Sequence, residues 1–204
     1  FDPSTTLEKD EDELFKLWEL KIGKKIILFP GRLTSWKGQE VFLDAINKVN
    51  IQLGHDAFIA VILGSDQGRD LYKKKLIRLV EQYRLTNQVK FIDHCKNMPV
   101  AYKISNFVVS ASIEPESFGR ISVEAQSMQK PILASNIGGS KETIINNKTG
   151  ILFDSGNSEE MSKKIIELFN LDQSTLNQMG IEGRKNVINK FNVEKMCFST
   201  YSEY

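Results

Sequence analysis

The chain has 204 residues, 41% of them hydrophobic and 26% charged, with 27 basic against 26 acidic side chains and a formal net charge of +1. That length can bury about 70% of the unfolded surface, as one large or two small domains. The even charge balance excludes a global pull toward nucleic acid or an acidic membrane, so any phosphate chemistry must use local charges.

Cys95 and Cys197 stand far apart in different elements, which gives neither a disulfide framework nor a zinc spacing. The chain opens FDPSTTLEKDEDEL, without a Met, a secretory leader or a run of 18 apolar residues. The expectation is a cytoplasmic piece of a longer protein.

An acidic amphipathic segment over about Thr5 to Leu20 comes first, so residues 1–23 are expected to form a connector and lead-in helix. KKIILFP (24–30) predicts a strand, followed by a helix over about Gly38 to Leu53. AFIAVILG (57–64) predicts a second strand. In the next helix, Asp70 to Tyr83, residues Tyr72, Leu76, Leu79, Val80 and Tyr83 share an inner face. VKFID (89–93) and NFVVSAS (106–112) predict strands around a short helix near Val100. A helix is expected to begin near Phe118, with Ser117 as its cap. KPILAS (130–135) and GILF (150–153) are strands around a helix near Ser140. Helices over about Ser158 to Asn170 and Ser174 to Asn189 complete a domain expected over 24–190. The tail, 191–204, carries Phe191, Val193, Met196, Phe198 and Tyr201 and is expected to be a helix packed against a part of the protein outside this chain.

Six Val/Ile/Leu-rich strands alternating with helices predict an α/β, Rossmann-like parallel sheet with helices on both faces. Such sheets bind ligands beyond the carboxyl ends of their strands. Arg32, Ser65, Asp66, Asp93 to Asn97 and Glu116 to Arg120 all fall there.

ESFGRISVE (116–124) sets two glutamates eight positions apart around a helix start. A helix start offers free N–H groups and partial positive charge to a phosphate, and Gly119 admits close approach. The carboxylates would repel that phosphate, yet they can accept hydrogen bonds from hydroxyls on either side of it, as in a nucleotide sugar. The plain alternative is a solvated helix with surface glutamates. GRLTSWKG (31–38) follows the first strand but matches neither glycine-rich phosphate fingerprint. Its Arg32 and Lys37 supply two cations for the two charges of a diphosphate. The alternative is an exposed turn, in which Trp36 serves packing.

Taken in order, PGRLTSWKGQE, ILGSDQG, VKFIDHCKNMP, SASIEPESFGRISVEA, KPILASNIGGSKE and TGILF give the chain its resemblance. From about Lys24 to Gly156 it resembles the carboxyl-terminal, donor-binding domain of the retaining GT-B glycosyltransferases of family 4. The resemblance implies hexose transfer from a nucleoside-diphosphate sugar to a hydroxyl acceptor, without a cofactor or an obligatory metal. It also implies an amino-terminal acceptor domain outside this chain, without which the fragment is expected to be inactive.

Arg32 and Lys37 would then grip the diphosphate, aided by the backbone of Phe118, Gly119 and Arg120. Glu124 would bind the ribose hydroxyls and Glu116 would face the transferred sugar. Asp93, His94, Cys95 and Lys96 would line the base pocket, mostly through backbone, with Ser65 a weaker contact. Gly138 and Gly139 match a glycine pair near the site, or form a simple turn. Family members often have glycine where this chain has Asp93 and Gln129.

Asp10-Glu11-Asp12 spells a metal-holding D-x-D but is expected to be a solvated helix face, as is Lys73-Lys74-Lys75. His55 is expected in a surface loop, and both cysteines are expected to be inert. Two other readings stay open: another GT-B enzyme (a sugar-nucleotide epimerase or glucan synthase), or a non-catalytic nucleotide-binding module. Cell-envelope polysaccharide synthesis, a lipid-linked acceptor and a position at the inner membrane face are compatible with the resemblance. Nucleic acid is not an expected partner. The base, sugar and acceptor are not read from the sequence.

Overall fold

The computed structural model describes residues 1–202, the side chains at 193, 196 and 198–200 excepted. Six strands form one sheet: β1 (Lys25–Pro30), β2 (Phe58–Leu63), β3 (Val89–Ile92), β4 (Phe107–Ser110), β5 (Ile132–Ser135) and β6 (Ile151–Phe153). Their order is β3-β2-β1-β4-β5-β6, and every pairing is parallel. The helices are α1 (Glu8–Leu17), α2 (Gln39–Leu53), α3 (Asp70–Gln82), α4 (Met98–Ile104), α5 (Arg120–Ser127), α6 (Ser140–Thr143), α7 (Ser158–Asn170), α8 (Gln173–Lys190) and α9 (Val193–Ser202).

The central strands read as unbroken apolar runs because both of their faces are covered. Along β1, Ile27 and Phe29 enter the core shared with α2, α3 and α7, while Ile26 and Leu28 enter the one shared with α1, α4 and α5. This two-residue alternation between two cores fixes the register. Each such side chain contributes about 1.5–3 kcal/mol when fully buried. Successive crossovers run outward from β1 to β2 and β3, then the chain returns to β4 on the other side of β1. The strand order therefore reverses between β1 and β4, and a crevice opens beyond their carboxyl ends.

The six predicted strands are all present. The lead-in helix is shorter than expected: Asp2 caps a separate turn of 3-10 helix at Pro3–Thr5, and α1 begins only at Glu8. The start of α5 also needs correction. It lies at Arg120, not near Phe118, and its cap is Gly119 in a left-handed conformation (φ 72°), with no side-chain hydrogen bond from Ser117. The predicted tail helix corresponds to α9, with Tyr201 exposed. The apolar positions Val193, Met196 and Phe198 lie outside the described side chains.

Candidate functional site

A cavity of about 630 Å³ lies over the β1–β4 crevice. It is lined by the loops after β1, β2, β3 and β4 and by the first turns of α5. Arg32, Lys37, Ser65, Asp93, His94, Cys95, Glu116, Arg120 and Glu124 all line it. Residues more than 90 positions apart in sequence thus meet at one opening.

The loop after β1 is held from below. Gly31 N–H donates to the Leu63 carbonyl at 2.8 Å, and Leu33 N–H to that of Ser65 at 3.0 Å. The Arg32 carbonyl accepts from the side-chain amide of fully buried Gln39 at 2.8 Å, and the Gln39 amide oxygen accepts from the Tyr72 hydroxyl at 3.2 Å. Gly38 then turns with φ 76° directly against β4, where a Cβ would sit 1.9 Å from the Ala111 carbonyl oxygen. Only glycine allows that approach.

The two cations are arranged around Trp36. The Lys37 ammonium lies 4.4 Å from the indole centroid and the Arg32 guanidinium carbon 5.8 Å from it, both within the range of cation–π attraction. Trp36, expected to serve packing, is therefore half-buried beneath the positive charge of the site. Lys37 is only 8% exposed and pairs with the Glu116 carboxylate at 2.7 Å. Ser112 Oγ also donates to Glu116. A buried ammonium without a partner would be costly, and Glu116 neutralises Lys37 here. Arg32 is exposed at the rim.

The turn carrying Glu116 rests on the glycine pair. Gly139 N–H donates to the Glu116 carbonyl at 2.8 Å. Gly138 has φ 54°, and a Cβ there would lie 2.6 Å from that same carbonyl oxygen; one on Gly139 would lie 2.4 Å from the Phe118 carbonyl carbon. A simple turn would tolerate side chains, whereas this one does not. One turn into α5, Glu124 accepts from the Tyr102 hydroxyl at 2.8 Å.

The remaining predicted residues divide. Ser65 turns its Oγ to the Gln67 N–H at 3.1 Å. Asp93 is exposed and holds the Lys73 ammonium at 2.6 Å, with Asp66 3.8 Å away. The hydrogen bond to Asp93 holds Lys73 above the ordinary lysine range. Lys73 is therefore an inter-loop tie, in contrast to the solvated face expected for Lys73-Lys74-Lys75. Cys95 is buried, donates to the Asn97 carbonyl at 3.3 Å, and burial pushes its thiol up, away from the reactive thiolate. Lys96 lines a neighbouring groove with α1, not the cavity. Phe118 and Gly119 are absent from the cavity wall, and the Phe118 ring packs edge-on to Phe191 at 5.6 Å. His55 sits in a surface loop against Asn50. Among the described residues, no group of three His, Cys, Asp or Glu is placed to hold a metal.

Tyr102, Trp36 and the Lys73 tie escape a reading by motif. Trp36 adjoins Lys37 in sequence and could have been found from that adjacency. Tyr102, on α4, reaches Glu124, on α5, only in the folded chain.

A doubly wound sheet with a charged cavity at its switch point is a frame shared by many nucleotide-binding domains, and the solved structures that it matches are GT-B glycosyltransferases. The chain belongs to the family Glycosyl transferases group 1, whose model matches residues 10–186. It is 26% identical over 166 residues to the capsular polysaccharide biosynthesis glycosyltransferase CapM of Staphylococcus aureus, covering 81% of this chain and 42% of that protein. It is 30% identical over 179 residues to the putative glycosyltransferase YtcC of Bacillus subtilis, covering 84% of this chain and 44% of the relative. The chain thus spans less than half the length of these relatives. A glycosyltransferase structure from Rickettsia africae superposes with TM-score 0.93 at 31% identity, covering all of this chain and 53% of that one. Anabaena HepE, in complex with UDP and glucose, gives 0.88 at 25% identity, covering all of this chain and 55% of its own.

Proposed function

We propose that this chain is the donor-binding domain of a retaining, family 4 glycosyltransferase that moves a hexose from a nucleoside-diphosphate sugar to a hydroxyl acceptor. The observation that carries the reading is the meeting of Arg32, Lys37, Glu116 and Glu124 around one cavity at the switch point. The complex of HepE with UDP and glucose supports a nucleotide sugar as donor.

In this reading the diphosphate displaces Glu116 from Lys37 and takes the ammonium, the Arg32 guanidinium and the α5 backbone amides. These groups stabilise negative charge developing on the leaving diphosphate, the contribution usually largest in catalysis. Glu116, freed but still held by Ser112, accepts hydrogen bonds from the sugar hydroxyls. It orients the sugar and is not assigned as a nucleophile. Glu124 reads the ribose, and the loop 93–95 faces the base. Residues 1–23 connect to an acceptor domain, 24–190 bind the donor, and 191–204 return toward the acceptor domain. The acceptor belongs to the cell envelope, a reading supported by the capsular role of CapM. Among the described residues, no helix is long and apolar enough to cross a membrane, which fits a peripheral approach to a lipid-linked acceptor.

The test is sugar transfer from a labelled donor by the full-length enzyme. Arg32→Ala and Lys37→Ala should each lower turnover about 10–1000-fold while the fold persists. Unchanged turnover in both would remove the assignment. Selective loss of sugar-nucleotide over nucleotide affinity in Glu116→Ala separates a transferase from a plain nucleotide-binding module.

A further inference from the structure

We infer that Tyr102 is a positioning residue that sets the ribose selectivity of the site by fixing the carboxylate of Glu124. The inference rests on the reading of Glu124 as the ribose acceptor. Tyr102 is fully buried, yet it lines the cavity and donates its hydroxyl proton to Glu124 Oε2 at 2.8 Å. Its ring belongs to the core that also contains Val100, Ala101, Ala125 and Met128, and the Phe1 ring packs edge-on to it at 5.7 Å. The last turn of α4 is fixed as well, because Ser105 Oγ donates to the Tyr102 carbonyl at 2.7 Å. The phenol therefore cannot follow Glu124 if the carboxylate turns.

An ionised carboxylate offers about four lone-pair directions on two oxygens. With one of them occupied by Tyr102, the carboxylate is tethered at Oε2, and Oε1 with the other acceptor directions is left for a ligand in the cavity that Glu124 lines. Two acceptors on one tethered carboxylate match the two adjacent hydroxyls of a ribose. An untethered glutamate would have to lose side-chain freedom on binding, which weakens the recognition. Burial, with the neighbouring carboxylate, pushes the phenol well above its ordinary range, so it remains a donor throughout the working pH range.

The experiment measures binding to this chain of uridine, guanosine and adenosine diphosphates and their 2′-deoxy counterparts. It uses the wild type, Tyr102→Phe and Glu124→Gln, each checked by thermal melting. For the tightest base, Tyr102→Phe should cut the ratio of ribo to deoxy affinity up to about tenfold, the cost of ordering a freed glutamate side chain. The deoxy affinity itself should change less than about twofold. Equal weakening of both nucleotides would assign Tyr102 a merely structural role and overturn the inference. Collapse of the ratio in Glu124→Gln with retention in Tyr102→Phe would also overturn it, while leaving Glu124 as the ribose reader. A ratio unchanged in Glu124→Gln, or no binding of any of the diphosphates, would remove the ribose reading and this inference with it.

Discussion

The two rims of the cavity are built differently. On the β1–β4 side, the loop 31–38 is pinned by buried Gln39, by Gly38 against Ala111, and by the Ile113 N–H donating to the Trp36 carbonyl at 2.8 Å. On the β3 side, Asp93 and His94 are exposed, and the tie across that rim is the Lys73–Asp93 pair. A diphosphate is common to all nucleotide sugars and rewards a rigid, buried cation. The base differs between donors, and here it would meet exposed side chains that can change without disturbing the core. Under the proposed function, one rim would do chemistry and the other selection.

That contrast predicts graded effects. The largest belongs to Lys37, whose loss also strands Glu116: turnover in Lys37→Ala should fall toward the upper end of the range given above, further than in exposed Arg32→Ala. Equal effects would mean that burial of Lys37 adds nothing. Gly138→Ala comes next. Its Cβ would overlap the Glu116 backbone at a positive φ, so the Glu116 turn must move. Such strain costs about 1–3 kcal/mol, read as a lowered melting temperature together with weaker nucleotide binding.

On the other rim, Lys73→Met should change nucleotide affinity less than about fivefold, since exposed ion pairs contribute about 0–1 kcal/mol. Added salt should erase the difference. A larger, salt-independent loss would show the β3 rim to be as rigid as its opposite.

The smallest effect on nucleotide binding lies at the far end of the sheet. Burial there, with Lys103 nearby, pulls Lys130 down to about 8 from 10.5. A depressed folded pKa means that the unfolded chain binds the extra proton between these values. Stability should therefore rise with pH from about 8 toward 10.5, and Lys130→Met should flatten that rise without changing nucleotide affinity.

The sheet was legible because β1 and β2, buried on both faces, spell unbroken apolar runs, and because α3 repeats its inner face at helical spacing. The start of α5 was misread because Ser117 has the chemistry of a cap, while Gly119 provides the turn by conformation alone. Arg32, Lys37, Glu116 and Glu124 were legible from two motifs, each of which follows a strand. Their state was not: the pairing of Lys37 with Glu116, the indole beneath both cations and the phenol behind Glu124 all depend on separations that only the fold sets. Lys96 and Phe118 show the converse, since adjacency to site residues did not turn their side chains into the cavity.

The most direct test of the central claim is a crystal structure of this chain soaked with its tightest-binding nucleoside diphosphate. The account predicts phosphate oxygens within hydrogen-bond distance of the Lys37 ammonium, with Glu116 released from it. A diphosphate bound away from the β1–β4 crevice, with the Lys37–Glu116 pair intact, would contradict it.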